Sequence, residues 1–373
     1  MSKSLPLRLL CTGLCAALLS PSAFAQAEIG LPVLVPVTGF LSLEGTSQRN
    51  GALLAIRNAP GSVKINAPVT DTGASPEGAS TALERALARG KVTAVVASML
   101  GPQMLAMMPI ALENKVPLAT VSGTADLTER KNPYVFRFFP GDATAKAAHV
   151  RYVVEELQKK RIALVYQTTA YGQGGRAQII EQLKKVGLAP VMEEALEVQV
   201  KDMSAVIGKV QLANPDVVML HLHGGPSALF LKQAAAARVA VPIVTGSALG
   251  QPSTAALLEP AELKNVCAET NAAPIASGNS PAMEKFTQQF RAEFKTEPDG
   301  FAVGQYDAVG MILQAVQQGA ATPDAVTRHL ASASYQGLAM NYKSDGKGNM
   351  AHSAIIICYD GSSRAPKIAK RYN

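Results

Sequence analysis

The sequence lacks the short motifs that announce most enzymes. It contains no Gly-x-Ser-x-Gly elbow, no His-Glu-x-x-His, no Cys-x-x-Cys and no phosphate-cradling Gly-x-x-x-x-Gly-Lys. No cluster of Cys and acidic residues accompanies its five histidines, so no metal site and no cofactor are expected. Low-complexity segments, short repeats and an obvious linker are missing as well. After the amino terminus no apolar run approaches the roughly 20 residues that cross a bilayer.

What is present at the amino terminus is an export signal. Lys3 and Arg8 precede an apolar run from Leu9 to Leu19, then Ser20-Pro21 and the small-x-small triplet Ala23-Phe24-Ala25. Leu10 and Leu14, which precede Cys11 and Cys15, are not the small residues a lipid anchor needs, so cleavage after Ala25 is expected, placing the mature chain in the periplasm. Cleavage leaves 373 − 25 = 348 residues and takes the formal charge from +7 to +5. The remaining Lys and Arg are scattered, the pattern of a solvated surface and not of a nucleic-acid footprint. Of the cysteines, Cys267 and Cys358 remain, each in an apolar, strand-like run. An oxidising compartment lets them pair, and two buried thiols fit the same runs.

Short apolar runs alternate with helix-length amphipathic segments. Strand candidates are residues 32–37, 63–71, 92–98, 118–121, 161–166, 216–222 and 242–245; helix candidates are 46–58, 76–89, 103–114, 143–158, 174–186 and 227–237. This alternation predicts βαβ units, hence an α/β fold with parallel sheets flanked by helices. Val217-Val218-Met219-Leu220 reads as a strand buried on both faces. After about residue 270 the order changes to consecutive helices, 281–294 and 301–317, before a final strand pair. A chain of this length without a linker then suggests two lobes joined by several crossovers, each discontinuous in sequence.

Several blocks resemble the type I periplasmic binding proteins, specifically the leucine/isoleucine/valine-binding branch that serves ABC transporters. They are Pro36-Val37-Thr38-Gly39, the run from Glu113 to Leu118 leading to Ser122-Gly123-Thr124-Ala125-Asp126-Leu127-Thr128, Tyr171-Gly172-Gln173-Gly174, and Phe301-Ala302-Val303-Gly304-Gln305-Tyr306-Asp307-Ala308. The resemblance implies two Rossmann-like lobes joined by a three-strand hinge, with residues 26–143 plus about 271–345 in one and 144–270 plus about 346–373 in the other. It also implies a monomer that closes on a small ligand and docks on an ABC permease of the inner membrane, without catalysis.

Open α/β sheets bind ligands beyond the carboxyl ends of their strands, and helix N-termini there seat carboxylates. Gly101-Pro102-Gln103 falls where the resemblance places a carboxylate cradle, with backbone N–H groups, the Gln103 amide and Ser98 as candidate donors. A plain helix start explains the same residues. Ser122, Gly123 and Thr124 resemble the second half of the cradle, one residue shorter than usual. Tyr171 matches the tyrosine that closes over the ligand, and His223 lies at the strand end where relatives place an aromatic residue, with His221 structural. Amino-acid binders carry an acid after the strand at residues 242–245, but Ser247 stands in that loop. Glu44, in the first-lobe loop, is the alternative partner for an ammonium; without it the pocket suits a carboxylate lacking an amine. A ligand-sensing partner of a receptor is the other role this fold serves.

Overall fold

The computed structural model describes Met1, residues 27–277 and residues 279–372. Apart from Met1, the export segment lies outside the described residues. Two sheets organise the chain. The first has five parallel strands in the order Val69–Asp71, Val33–Val35, Val95–Ala97, Leu118–Thr120 and Val135–Arg137.

The run expected at 63–71 is split in two. Val63–Asn66 pairs with Ala27–Gly30, and Val69–Asp71 with Val33–Val35. Pro32 and Pro68 sit at the break on both chains, and a proline offers the ladder no N–H. The Leu31 and Val33 N–H groups bridge it, donating to the Asn66 and Pro68 carbonyls at 2.8 and 2.9 Å.

Met192–Leu196, Ile162–Gln167, Val217–His221, Ile243–Thr245 and Val266–Thr270 form the parallel part of the second sheet, in that order. Ala354–Tyr359 and Lys367–Tyr372 extend it antiparallel. Val217, Val218, Met219 and Leu220 are fully buried between helices on both faces, as their unbroken hydrophobicity requires. Each such side chain contributes about 1.5–3 kcal/mol relative to exposure.

The chain passes between the two bodies three times. It leaves the first sheet after Arg137 and enters the second through the helix Asp142–Arg151. It returns after Thr270 to the helices Pro281–Phe294 and Gly300–Gln317, where Val309, Met311 and Ile312 join Val33 and Val35 in the first core. A third passage follows Lys343, running beside Arg137 at Gly348–Met350 before the last two strands.

Cys267 and Cys358 lie directly opposite each other on antiparallel neighbours and are joined by a disulfide, with Cα atoms 4.0 Å apart. The bond closes a loop that includes two of the three passages, spanning a sequence separation of 91. In the chain-entropy view, a loop of that size stabilises the fold by about 4–5 kcal/mol. The buried-thiol alternative is thereby set aside.

Candidate functional site

A cleft between the two bodies encloses about 370 Å³ of unfilled space, part of it open to solvent. The first lobe contributes Leu41, Glu44, Met99, Leu100, Gly101, Gly123 and Phe301; the second contributes Tyr171, His223, Ser247 and Ala248. Most of these follow the carboxyl end of a strand, where an open α/β sheet leaves its loops free. Of the residues singled out from the sequence, Glu44, Gly101, Gly123, Tyr171, His223 and Ser247 line the cleft. Gln103, Ser122 and Thr124 do not.

Gln103 is the clearest correction. Its amide nitrogen donates to the carbonyls of Thr72, Gly73 and Ser75 at 3.0 Å each, and its oxygen accepts from the Thr72 and Ser98 hydroxyls at 2.8 and 2.6 Å. Fully buried and fully bonded, it pins the helix Gly101–Asn114 to the neighbouring loop and has nothing left for a ligand.

Ser122 and Thr124 are buried behind the cleft wall, with the Ser122 hydroxyl donating to that of Thr124 at 3.4 Å. A Cβ on Gly101 would stand 2.2 Å from the Thr124 hydroxyl, so only glycine lets the helix start approach this loop. Arg137 holds the loop from beneath, donating to the carbonyls of Gly123 and Thr124 at 3.3 and 2.6 Å and to the Thr128 hydroxyl at 2.7 Å. Gln48 fixes the other loop: it accepts from the Met99 N–H at 3.1 Å and donates to Ala97 and Gln305, each at 2.8 Å.

In the second lobe Thr169 caps the helix Ala170–Lys185, accepting from the Gly172 N–H at 3.1 Å. A Cβ on Gly175 would fall 2.0 Å from the His221 ring. This close approach brings Tyr171 over His221, ring centroids 3.9 Å apart, with His221 Nε2 3.0 Å from the Tyr171 carbonyl oxygen. Burial lowers the His221 pKa well below the usual histidine value, so His221 is a neutral support beneath Tyr171. The His223 ring stacks on Tyr171 at 5.0 Å and meets Phe40 edge-on at 5.5 Å.

One acid lines the cleft and a second lies behind its wall. Glu44, on the helix Ser42–Arg57, is 2% exposed, and its carboxylate accepts the Gly224 N–H from the other lobe at 3.2 Å. Burial pushes its pKa up to about 7, against the pull of the N–H groups of Glu44 and Gly224, and Asp299 nearby adds to the rise. Asp142 was not singled out from the sequence, where it reads as an ordinary acid in a first helical turn. The fold places it behind Gly123, whose Cβ would lie 3.5 Å from Asp142 Oδ1 and 3.7 Å from the Tyr171 ring. Among the described residues its Oδ2 is buried without a hydrogen-bond partner.

Behind Asp142 lies a buried ionic cluster. Lys146 pairs with Glu269, whose second oxygen is 3.2 Å from His149 Nδ1, and His221 Nε2 is 4.0 Å from Asp142. Burial alone would raise Glu269, but Lys146 and His149 hold it down at about 2. A second contact between lobes joins the Gln251 amide to Asp299 at 2.9 Å.

The family described as "Periplasmic binding protein" matches residues 28–359. The chain belongs to that family. A relative from Pseudomonas aeruginosa, the "Leucine-, isoleucine-, valine-, threonine-, and alanine-binding protein", is 24% identical over 343 residues, 90% of each chain. "Leu/Ile/Val-binding protein BraC3" of Rhizobium johnstonii is 28% identical over 224 residues, 57% of this chain and 61% of its own. Among solved structures, the substrate-binding protein LivJ of Streptococcus pneumoniae in complex with isoleucine superposes with a TM-score of 0.83 at 22% identity, covering 92% of this chain and 99% of that one. A solute-binding protein of Rhodopseudomonas palustris in complex with 3,4-dihydroxybenzoic acid does so at 0.80 and 18%, covering 93% and 98%. The α/β fold with parallel sheets is thus that of the periplasmic binding proteins. Among the described residues no helix is long and apolar enough to cross a membrane.

Proposed function

We propose that this family member binds an α-amino acid in its cleft and delivers it to an ABC permease. The observation that carries the reading is Glu44: a cleft-lining carboxylate, 2% exposed, with no cation paired to it among the described residues. An isolated buried carboxylate is costly unless it stays protonated or meets a positive charge. A ligand ammonium supplies that charge. The start of the helix Gly101–Asn114 opens onto the same cleft at Gly101, and its positive dipole end suits the ligand carboxylate. Tyr171, His223 and Ser247 form the opposing wall, and Leu41, Met99, Leu100 and Phe301 supply apolar contact.

The test is calorimetry of the mature protein with L-leucine and with 4-methylpentanoate, its counterpart without the amine. Leucine is expected to bind at least about 30-fold more tightly, roughly 2 kcal/mol, and Glu44→Gln to remove most of that margin. Equal affinities would sink the amino-acid reading.

A second reading, a carboxylate without an amine, draws support from Ser247, which replaces the acid expected in its loop, and from the pKa near 7 that lets Glu44 remain neutral. Tighter binding of 4-methylpentanoate or benzoate than of leucine would establish it.

A further inference from the structure

The polar face of the second-lobe wall carries no formal charge at neutral pH. It also contains an atom left unsatisfied among the described residues: His223 Nε2 is buried without a hydrogen-bond partner, and the residue is 6% exposed. The ring is held where it is. Its backbone N–H donates to Gln167 Oε1 at 2.6 Å, Tyr171 stacks on one side and Phe40 closes the edge. Burial lowers the His223 pKa to about 4, so the ring is neutral. Across the cleft, Leu41, Met99, Leu100 and Phe301 have no side-chain group that hydrogen-bonds strongly to it, and Glu44, on the same wall, turns its carboxylate to the Gly224 N–H at 3.2 Å.

We propose that His223 is a specificity-determining residue that selects a ligand bearing an uncharged hydroxyl on its side chain, so that threonine is preferred to its isostere valine. This rests on the amino-acid reading above. A buried ring nitrogen without a partner is costly, and a ligand hydroxyl recovers that cost where a methyl group of the same size does not. A hydroxyl both donates and accepts, so it serves either tautomer of the imidazole. Sites built around such a hydrogen bond discriminate far more sharply than apolar pockets do against an extra methylene.

The experiment is calorimetric titration of the mature wild-type protein and His223→Leu with L-threonine and L-valine. Threonine is expected to bind about 10- to 100-fold more tightly to the wild type, and His223→Leu to bring the two affinities together. His223→Gln, which keeps a hydrogen-bonding group, is expected to retain part of the preference and guards against a folding defect in the leucine variant. Equal wild-type affinities, or a preference that survives in His223→Leu, would overturn the role of His223 while leaving the amino-acid reading intact. If neither amino acid binds while leucine does, the role of His223 is overturned and the amino-acid reading stands; if leucine fails as well, the amino-acid reading falls, and benzoate against 4-hydroxybenzoate puts the same question to His223: a preference for the hydroxylated acid that is lost in His223→Leu supports the role. Absence of such a preference, or of binding by either pair, overturns it.

Discussion

Glu44 lines the cleft and Asp142 lies behind its wall at Gly123, both buried, both with pKa values pushed up to about 7 mainly by burial. Their surroundings are opposite. Lys146 and Arg137 counter the rise at Asp142, with Glu269 opposing them, so two cations face two acids within the protein. At Glu44 the opposing influences are backbone N–H groups, and the charge that acts on it, Asp299, is of the same sign. The same shift therefore has two meanings. Asp142 is compensated from inside and serves the architecture between the lobes; Glu44 is uncompensated and stands open to a cation from outside.

That contrast is broken most forcefully from the Asp142 side. Lys146→Met leaves Glu269 buried without its cation and is expected to lower unfolding free energy by about 3–5 kcal/mol in urea. Replacing Glu269 with Leu in the same chain should recover much of this loss. A single-variant cost below about 1 kcal/mol would show that the cluster is not compensated as described.

The Glu44 side is sharpened by pH. Its folded pKa lies above the ordinary 4.5, so the stability tied to its proton is full below that value and is lost as pH rises toward 7. Glu44→Gln, which cannot lose a proton, should gain on the wild type by up to about 3 kcal/mol between pH 4.5 and 8 in thermal or urea unfolding of the ligand-free protein. A constant difference across that range would mean that Glu44 is not titrating there.

Ligand affinity should move the other way. An ammonium requires Glu44 ionised, so wild-type affinity is expected to rise by up to about 100-fold from pH 5 to 8, with about one proton released at pH 6 as read from buffer-dependent binding enthalpies. Glu44→Gln should flatten the profile. The smallest effect is assigned to Asp142→Asn, which keeps the shape of a residue already compensated by its neighbours: a change in leucine affinity of about 1 kcal/mol or less. A larger loss there than at Glu44 would reverse the assignment of the two acids.

Much of the scaffold was legible in the sequence because its signals are local. Ser75-Pro76 marks the start of the helix Pro76–Arg89, with the Ser75 hydroxyl accepting from Gly78 N–H at 3.1 Å as a capping serine does. The apolar run at Val217–Leu220 is the buried strand it reads as. Met192–Leu196 was not picked out; half-exposed at a sheet edge, it carries two adjacent acids, Glu193 and Glu194, and reads as a polar stretch. At the cleft, Gln103 was placed on the right loop with the wrong orientation. No spacing rule shows that its amide turns back to three carbonyls 28–31 residues earlier.

By itself the sequence determined the alternation of strands and helices, the strand ends from which Gly101, Tyr171, His223 and Ser247 project, and the absence of an acid at position 247. These follow from backbone propensity and from burial repeated over a few residues. Only the tertiary structure decided that Glu44 reaches Gly224 across 180 positions of chain, that Asp142 comes to lie behind Gly123, and that His223 is left with an unpartnered nitrogen. Compensation of a buried charge depends on what long-range packing brings beside it, and no local pattern encodes that.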